Sequence, residues 1–478
     1  MFKTTKLISA IILAVLMCFA TVSVAFASST QGPNSNGAIV VNPPIPLADG
    51  TVSVQAAITK VLQMPIGTTV PGVTFEFAVS KNGVVIDPVA DPTGTNLDST
   101  AATIASMPAL TNLSAPYPGT VTGVTTGDTT TYTQETGDIF ANITNTSFPH
   151  AGVYQYTITE VKPSYTPADP TKETMTDSKA QYTINVYVAN VPAPGTGTYI
   201  YAIGDYKDKN DDGTANGAKV DPTPGGNTIT NTGYSDMAFT NTYIHTNTVT
   251  DPVAGSTLAV SKAVTGTFAD MTTYFGYSMT VNAPTLVYDP LNPGTATAPT
   301  YSAYILYKNG SKITGSDLTD TTRNNVAATN VDTTTGLITV TSGTQFTYSL
   351  QDGQKLVFVD TPVGTSYSVN ETGTLGYTPS ETVTYGSTPL QTNTDAGTKG
   401  SALSTDTAIA PVFGGVAYTT NLVGESTNSA AFTNDYQTIT PTGILINNLP
   451  FIGLILLAVG AFGAYVVVKS RKRKAYSK

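Results

Sequence analysis

Three short segments occur twice in this chain, in the same order, and each places one polar residue of fixed type among apolar neighbours. Ile58-Thr59-Lys60-Val61-Leu62 is answered by Val260-Ser261-Lys262-Ala263-Val264, and Tyr156-Thr157-Ile158-Thr159-Glu160 by Tyr367-Ser368-Val369-Asn370-Glu371. The third pair is Ala238-Phe239-Thr240-Asn241-Thr242-Tyr243 and Ala431-Phe432-Thr433-Asn434-Asp435-Tyr436. Both Glu segments are followed by Tyr-Thr-Pro, at Tyr165 and Tyr377. Unequal spacing between the copies makes them two homologous domains with loop insertions rather than a tight solenoid. Around them, short runs rich in Val, Ile, Thr, Tyr and Phe alternate with Gly, Pro, Asn and Asp clusters, without helical periodicity between the two ends. That pattern predicts an all-β chain of two tandem Ig-like β-sandwich domains, over residues 45–246 and 255–438.

The period of two fixes which way the six polar residues face. Lys60 shares a face with Ile58 and Leu62, Glu160 with Tyr156 and Ile158, and Asn241 with Phe239 and Tyr243. In the second unit Lys262 lies with Val260 and Val264, Glu371 with Tyr367 and Val369, and Asn434 with Phe432 and Tyr436. A charge in an apolar core is costly unless it is paired, and its pKa moves toward the neutral form. One reading is a buried Lys–Glu ion pair capped by Asn, or a register that leaves some of the six outside. The other is chemical: a desolvated Lys becomes a nucleophilic amine, and a Glu kept protonated polarises the Asn carboxamide and shuttles protons. Attack on that carboxamide expels ammonia and leaves an amide between two strands. Glu160 and Glu371 are then promoters of two single-turnover reactions, Lys60–Asn241 and Lys262–Asn434, with no cofactor and no metal.

The two ends address the chain to a surface. Lys3 and Lys6, an apolar run from Leu7 to Phe19 and Ala25-Phe26-Ala27 form a signal peptide over residues 1–27. Cys18 lies in that run, but Met17 stands where a lipoprotein signal needs a small residue. Residues 439–478 read as a sorting region: Ile439-Thr440-Pro441-Thr442-Gly443, an apolar span over about 449–468, then a basic tail, 469–478, with Lys469, Arg471, Lys472, Arg473 and Lys474. Such a span crosses a bilayer and the basic cluster stays on the cytoplasmic side. The order resembles the cell-wall sorting signal read by sortases, although the proline is shifted one place from the usual Leu-Pro-x-Thr-Gly. By that resemblance a sortase cuts between Thr442 and Gly443. A plain transmembrane anchor is the alternative.

Composition narrows the function classes. The ends carry eight of the 22 basic residues and none of the 32 acidic ones, so the part between them is more acidic than the whole chain's net −10 and will not attract nucleic acid. It contains no Cys, so an exported chain forgoes the usual disulfide staples. His150 and His245 are its two histidines, and neither a Gly-x-Ser-x-Gly elbow nor a metal-binding His pair appears, which argues against a secreted hydrolase. Asp208-Lys209-Asn210-Asp211-Asp212-Gly213 opens like a calcium loop, but Lys219 occupies the place of the bidentate Glu, so we read a hairpin turn.

With these residues in view, the segments resemble the isopeptide-forming domains of the FctA-type pilin family of streptococcal and related Gram-positive surface proteins. The Phe-Thr-Asn-x-Tyr endings and the Val-Ser-Lys-Ala-Val-Thr-Gly opening at Val260 carry the likeness most clearly. It implies a bond from a Lys on the first strand to an Asn on the last, beside a Glu of a middle strand. It implies a major-pilin-like shaft subunit, joined by sortase head to tail with identical subunits or to peptidoglycan, alongside minor pilins or host ligands. The acceptor is expected late in the first domain, at Lys219, with Lys207 and Lys209 behind it. A non-polymerising wall-anchored adhesin for a host glycan or matrix protein is the alternative.

Overall fold

The computed structural model describes residues 31–33, 39–41, 45–46, 52–86, 96–119, 121–225, 233–288, 297–387, 390–405, 412–413, 416–417, 420–436 and 441–475. The expected signal peptide, and Ile439 and Thr440 of the expected sorting motif, lie outside these residues, while Pro441, Thr442 and Gly443 open the C-terminal helix.

Alternation builds the strands. In Gln181–Asn190 the side chains of Tyr182, Ile184, Val186 and Val188 are buried, and Thr183, Asn185 and Tyr187 between them are only partly covered. Tyr377–Tyr385 repeats this, with Thr and Ser on its outer face. β-branched and aromatic residues fit a half-buried pleated surface, and hydroxyls wet its other side.

Each unit pairs an eight-stranded sheet with a five-stranded one. In the first, the larger sheet is centred on Val73–Val85, Gly152–Glu160, Gln181–Asn190 and Thr198–Lys209. Strands Gln31–Pro33 and Ile39–Val41 join its margin, ahead of residue 45. The smaller sheet sets Thr59–Pro65, the lysine strand, between Thr129–Glu135 and Ala238–His245, the asparagine strand. One continuous core, including Leu62, Phe75, Tyr156, Tyr182 and Phe239, fills the space between the sheets.

The second unit has the same logic with the sheets' sizes exchanged. Its lysine strand, Leu258–Thr265, and asparagine strand, Ser429–Tyr436, lie side by side in the eight-stranded sheet. Its glutamate strand, Ser366–Glu371, lies in the five-stranded sheet beside Phe275–Asn282. A separate core with Val260, Tyr277, Tyr348 and Phe432 joins them.

The units meet at a joint made of backbone and side-chain bonds. Val249 N–H donates to Val359 O (2.8 Å), Val363 N–H to His245 O (2.9 Å), and Asn247 Nδ2 to Gly424 O (2.9 Å). Glu425 accepts from the amide and the hydroxyl of Thr69, each at 2.6 Å, and lies 3.5 Å from His245 Nδ1. Ile66, Tyr385 and Leu422 bury a small apolar cluster there. At the other end the helix Pro441–Ala475 contains an apolar stretch, Pro450–Lys472, of mean hydropathy 2.5, long enough to cross a membrane as an anchor.

Candidate functional site

In both units the lysine and asparagine strands are parallel neighbours with the same offset. Lys60 is registered with Phe239 and Asn241 with Leu62; Lys262 is registered with Phe432 and Asn434 with Val264. A parallel pair two residues out of step keeps both side chains on one face, pointing across the core. The Glu arrives from the opposite sheet: Glu160 ends Gly152–Glu160, registered with Phe77, and Glu371 ends Ser366–Glu371, registered with Tyr277. The structure thus gathers Lys60, Glu160 and Asn241 in one core and Lys262, Glu371 and Asn434 in the other, each 4% exposed or less.

In the first core, Lys60 Nζ donates to Asn241 Oδ1 at 2.5 Å and lies 2.8 Å from Glu160 Oε1, which also accepts from Asn241 Nδ2 at 2.9 Å. One carboxylate oxygen therefore touches both the nitrogen that would attack and the nitrogen that would leave. The expected polarisation of the carbonyl by Glu is not the arrangement found: Glu160 faces the amide nitrogen, and the carbonyl oxygen faces Lys60 and the backbone N–H of Ser178 (2.8 Å). Asn241 Nδ2 donates its other hydrogen to Ser164 Oγ (3.0 Å), whose hydroxyl is bonded to Asp177.

In the second core, Glu371 Oε1 again bridges, 2.9 Å from Lys262 Nζ and 2.5 Å from Asn434 Nδ2. The remaining bonds differ. Tyr277 donates its hydroxyl to Glu371 Oε2 (3.3 Å), whereas Glu160 Oε2 has no hydrogen-bond partner among the described residues. Asn434 Oδ1 has none either.

Both lysines lie over an aromatic ring, Lys60 4.3 Å from the centroid of Phe75 and Lys262 4.1 Å from that of Phe275. Burial nevertheless dominates and brings each ammonium down from an ordinary lysine value to about 8, against the pull of its Glu. Burial also pushes the Glu160 carboxyl up. Desolvation moves both partners toward the neutral pair, an amine beside a carboxylic acid.

Sequence reasoning missed the surrounding groups. Phe75 with Phe77, and Phe275 with Tyr277, form a repeated aromatic-x-aromatic pair after each lysine strand, a signal that was there to be read. Ser164, Asp177 and Ser178 sit in connecting segments with no such periodicity. Among the lysines considered as acceptors, Lys219 is exposed on the strand Ala215–Val220 at the margin of the larger sheet, 5.3 Å from the Tyr206 ring centroid. Lys207 is partly buried and 3.5 Å from Asp211, and Lys209 is exposed beside the turn. The acidic segment from Asp208 is the hairpin turn between Thr198–Lys209 and Ala215–Val220.

Residues 56–244 match the model of the FctA family, the Spy0128-like isopeptide containing domain, so the first unit is an FctA-type domain. Residues 256–407 match a domain of unknown function (DUF7601). Similar solved structures include the major pilin from Streptococcus pyogenes, 17% identical over 80% of this chain and 99% of that one, with a TM-score of 0.28. The major pilin protein T3.2 from the same organism is also 17% identical over 80% and 99%, with a TM-score of 0.26. The pilus-presented adhesin Spy0125 (Cpa) is 16% identical over 43% of this chain and 31% of that one, with a TM-score of 0.19. No curated protein matches the chain.

Proposed function

We propose that this chain, whose first unit is an FctA-type domain, is a surface stalk subunit closed by two internal amide cross-links and assembled by sortase. The observation that carries the reading is the twin burial of Lys, Glu and Asn between the first and last core strands of each sandwich. In the first core, Lys60 passes a proton to Glu160 Oε1 and its freed lone pair attacks Cγ of Asn241. Glu160 hands that proton to Nδ2, the Cγ–Nδ2 bond breaks, ammonia leaves, and the surplus proton on Nζ returns to Glu160. Lys262, Glu371 and Asn434 do the same in the second core. Packing supplies the proximity that turns a slow bimolecular reaction into an intramolecular one. Nothing turns over, because the nucleophile is consumed.

A bond between parallel neighbours at the start and end of a domain carries an end-to-end load past the sheet. Placed in two successive domains, it makes a tensile element that needs no cysteine. The C-terminal apolar helix holds the precursor at a membrane, and Thr442 and Gly443 are the peptide a sortase would cut. Lys219, exposed on its marginal strand, is the acceptor we assign to the next subunit's Thr442.

Co-expression of the full chain with a pilus-type sortase in a Gram-positive host tests the assembly. The wall fraction should show a ladder of multimers resistant to boiling in detergent, lost in Lys219→Arg. Wall-linked monomer without a ladder would contradict the shaft reading and favour a non-polymerising anchored adhesin.

A further inference from the structure

The two cores hold the same three reacting residues but direct their remaining hydrogen-bond donors at opposite partners. In the first, the donors converge on the electrophile. Asn241 Oδ1 accepts from Ser178 N–H at 2.8 Å as well as from Lys60. In the second, the extra donor, the Tyr277 hydroxyl, goes to the Glu, and Asn434 Oδ1 has no donor among the described residues.

The connecting segment that carries Ser178 is held in place. Ser178 Oγ donates to Asp211 Oδ1 (2.6 Å), and the same oxygen accepts from Thr240 N–H on the asparagine strand (2.8 Å), one residue before Asn241. Lys179 N–H donates to Asp211 O (2.8 Å). One carboxylate of the acidic hairpin therefore ties the donor and the strand that bears the acceptor into a single unit. On the other side of the amide, Ser164 Oγ takes the second Nδ2 hydrogen at 3.0 Å. With one N–H on Glu160 and the other on Ser164, the carboxamide has one orientation, with its oxygen toward Lys60 and Ser178.

We propose that Ser178 N–H, positioned by Asp211, is an oxyanion site for the first cross-linking reaction, that Ser164 fixes the amide's orientation, and that the second core works without either. This rests on the cross-linking reading above. As the Nζ–Cγ bond forms, the carbonyl electron pair moves onto Oδ1. The N–H already lies at hydrogen-bond distance from that oxygen, in a core where water does not compete. When the pair returns to carbon, the Cγ–Nδ2 bond breaks and nitrogen departs with the proton Glu160 supplies. A preorganised donor at such a site is worth about 10²- to 10³-fold in rate. The developing charge on Asn434 Oδ1 meets no such donor among the described residues. The Lys60–Asn241 bond forms first.

The test is a time course on the full chain. Cell-free synthesis is quenched in acid at intervals, and the two cross-linked peptides are quantified by mass spectrometry, each bond serving as the other's internal clock. The first bond should form about 10²-fold or more faster than the second. Asp211→Ala should slow the first bond by about tenfold and leave the second unchanged. Asp211→Asn, which keeps an acceptor oxygen but no charge, should restore the rate, an outcome that a purely electrostatic role for Asp211 would not give. Ser164→Ala, which removes no backbone bond, should slow the first bond alone, and Ser164→Thr should rescue it. Equal rates for the two bonds in the unmodified chain, or Asp211→Ala and Ser164→Ala at the unmodified rate, would overturn the proposal. Absence of both bonds from the unmodified chain would overturn the cross-linking reading itself, and this inference with it.

Discussion

Glu160 Oε1 lies 2.8 Å from one nitrogen and 2.9 Å from another, the position that the proposed reaction requires of a proton carrier. Glu160→Gln keeps the volume and hydrogen-bonding reach but cannot carry the proton. The chain should fold with the first bond missing, detected as an uncleared Lys60 peptide. The pH dependence follows from the lysines. The proton that Glu carries to the leaving nitrogen is the one the lysine gives up, so the reactive pair must hold one proton; above about 8 that proton is lost to solvent, and the closure rate should fall as pH rises through that value. Before closure the folded chain binds fewer protons than the unfolded one between about 8 and the ordinary value of 10.5. Stability of an uncloseable Asn241→Ala chain should therefore rise with pH through that window, and below it the full cost of burying the ammonium is present. The inward facing of the lysines, glutamates and asparagines was legible in the sequence because strand period alone sets it. The bond from Ser178 N–H to Asn241 Oδ1 was not, since a backbone N–H in a connecting segment leaves no mark on residue type.

The parallel pairing of lysine and asparagine strands is what brings Nζ to the carboxamide, and it depends on packing beneath them. Phe239, fully buried, packs its ring 5.0 Å from that of Phe77 and 5.1 Å from that of Tyr182, pinning the asparagine strand to the opposite sheet. Phe239→Ala should cost about 3 to 5 kcal/mol in chemical unfolding of the first domain and slow its closure, because the strand's position sets the attack distance. Alternation such as that of Tyr182 to Val188 made the strands readable one by one. Which sheet each would join was not readable, because pairing with Thr129–Glu135 or Val73–Val85 is decided by contacts far apart in sequence. Hence the sheet sizes could exchange between the domains while the three motifs stayed constant. The strands Gln31–Pro33 and Ile39–Val41 escaped notice because each is only three residues long.

At the scale of the molecule, two closed sandwiches make a stiff stalk only if the joint is stiff. Glu425 takes both bonds from Thr69 and lies by His245, so it ties two parts of the first domain to the second. Glu425→Ala should remove about 2 kcal/mol from the joint, and small-angle scattering should show a broader distribution of interdomain distances with each domain intact. The proposed cross-links act on a different quantity. Each encloses most of its domain, so its loss should cost that domain about 5 kcal/mol through unfolded-state entropy, read as a lower unfolding midpoint for one domain and not the other. The most direct test of the whole account is the intact mass of residues 28–442, beside the same chain with Asn241→Ala or Asn434→Ala. Two cross-links would leave a deficit of two ammonia molecules in the unmodified chain and of one in each variant. A mass equal to that of the bare sequence would contradict them and leave the buried lysines and glutamates as ion pairs alone.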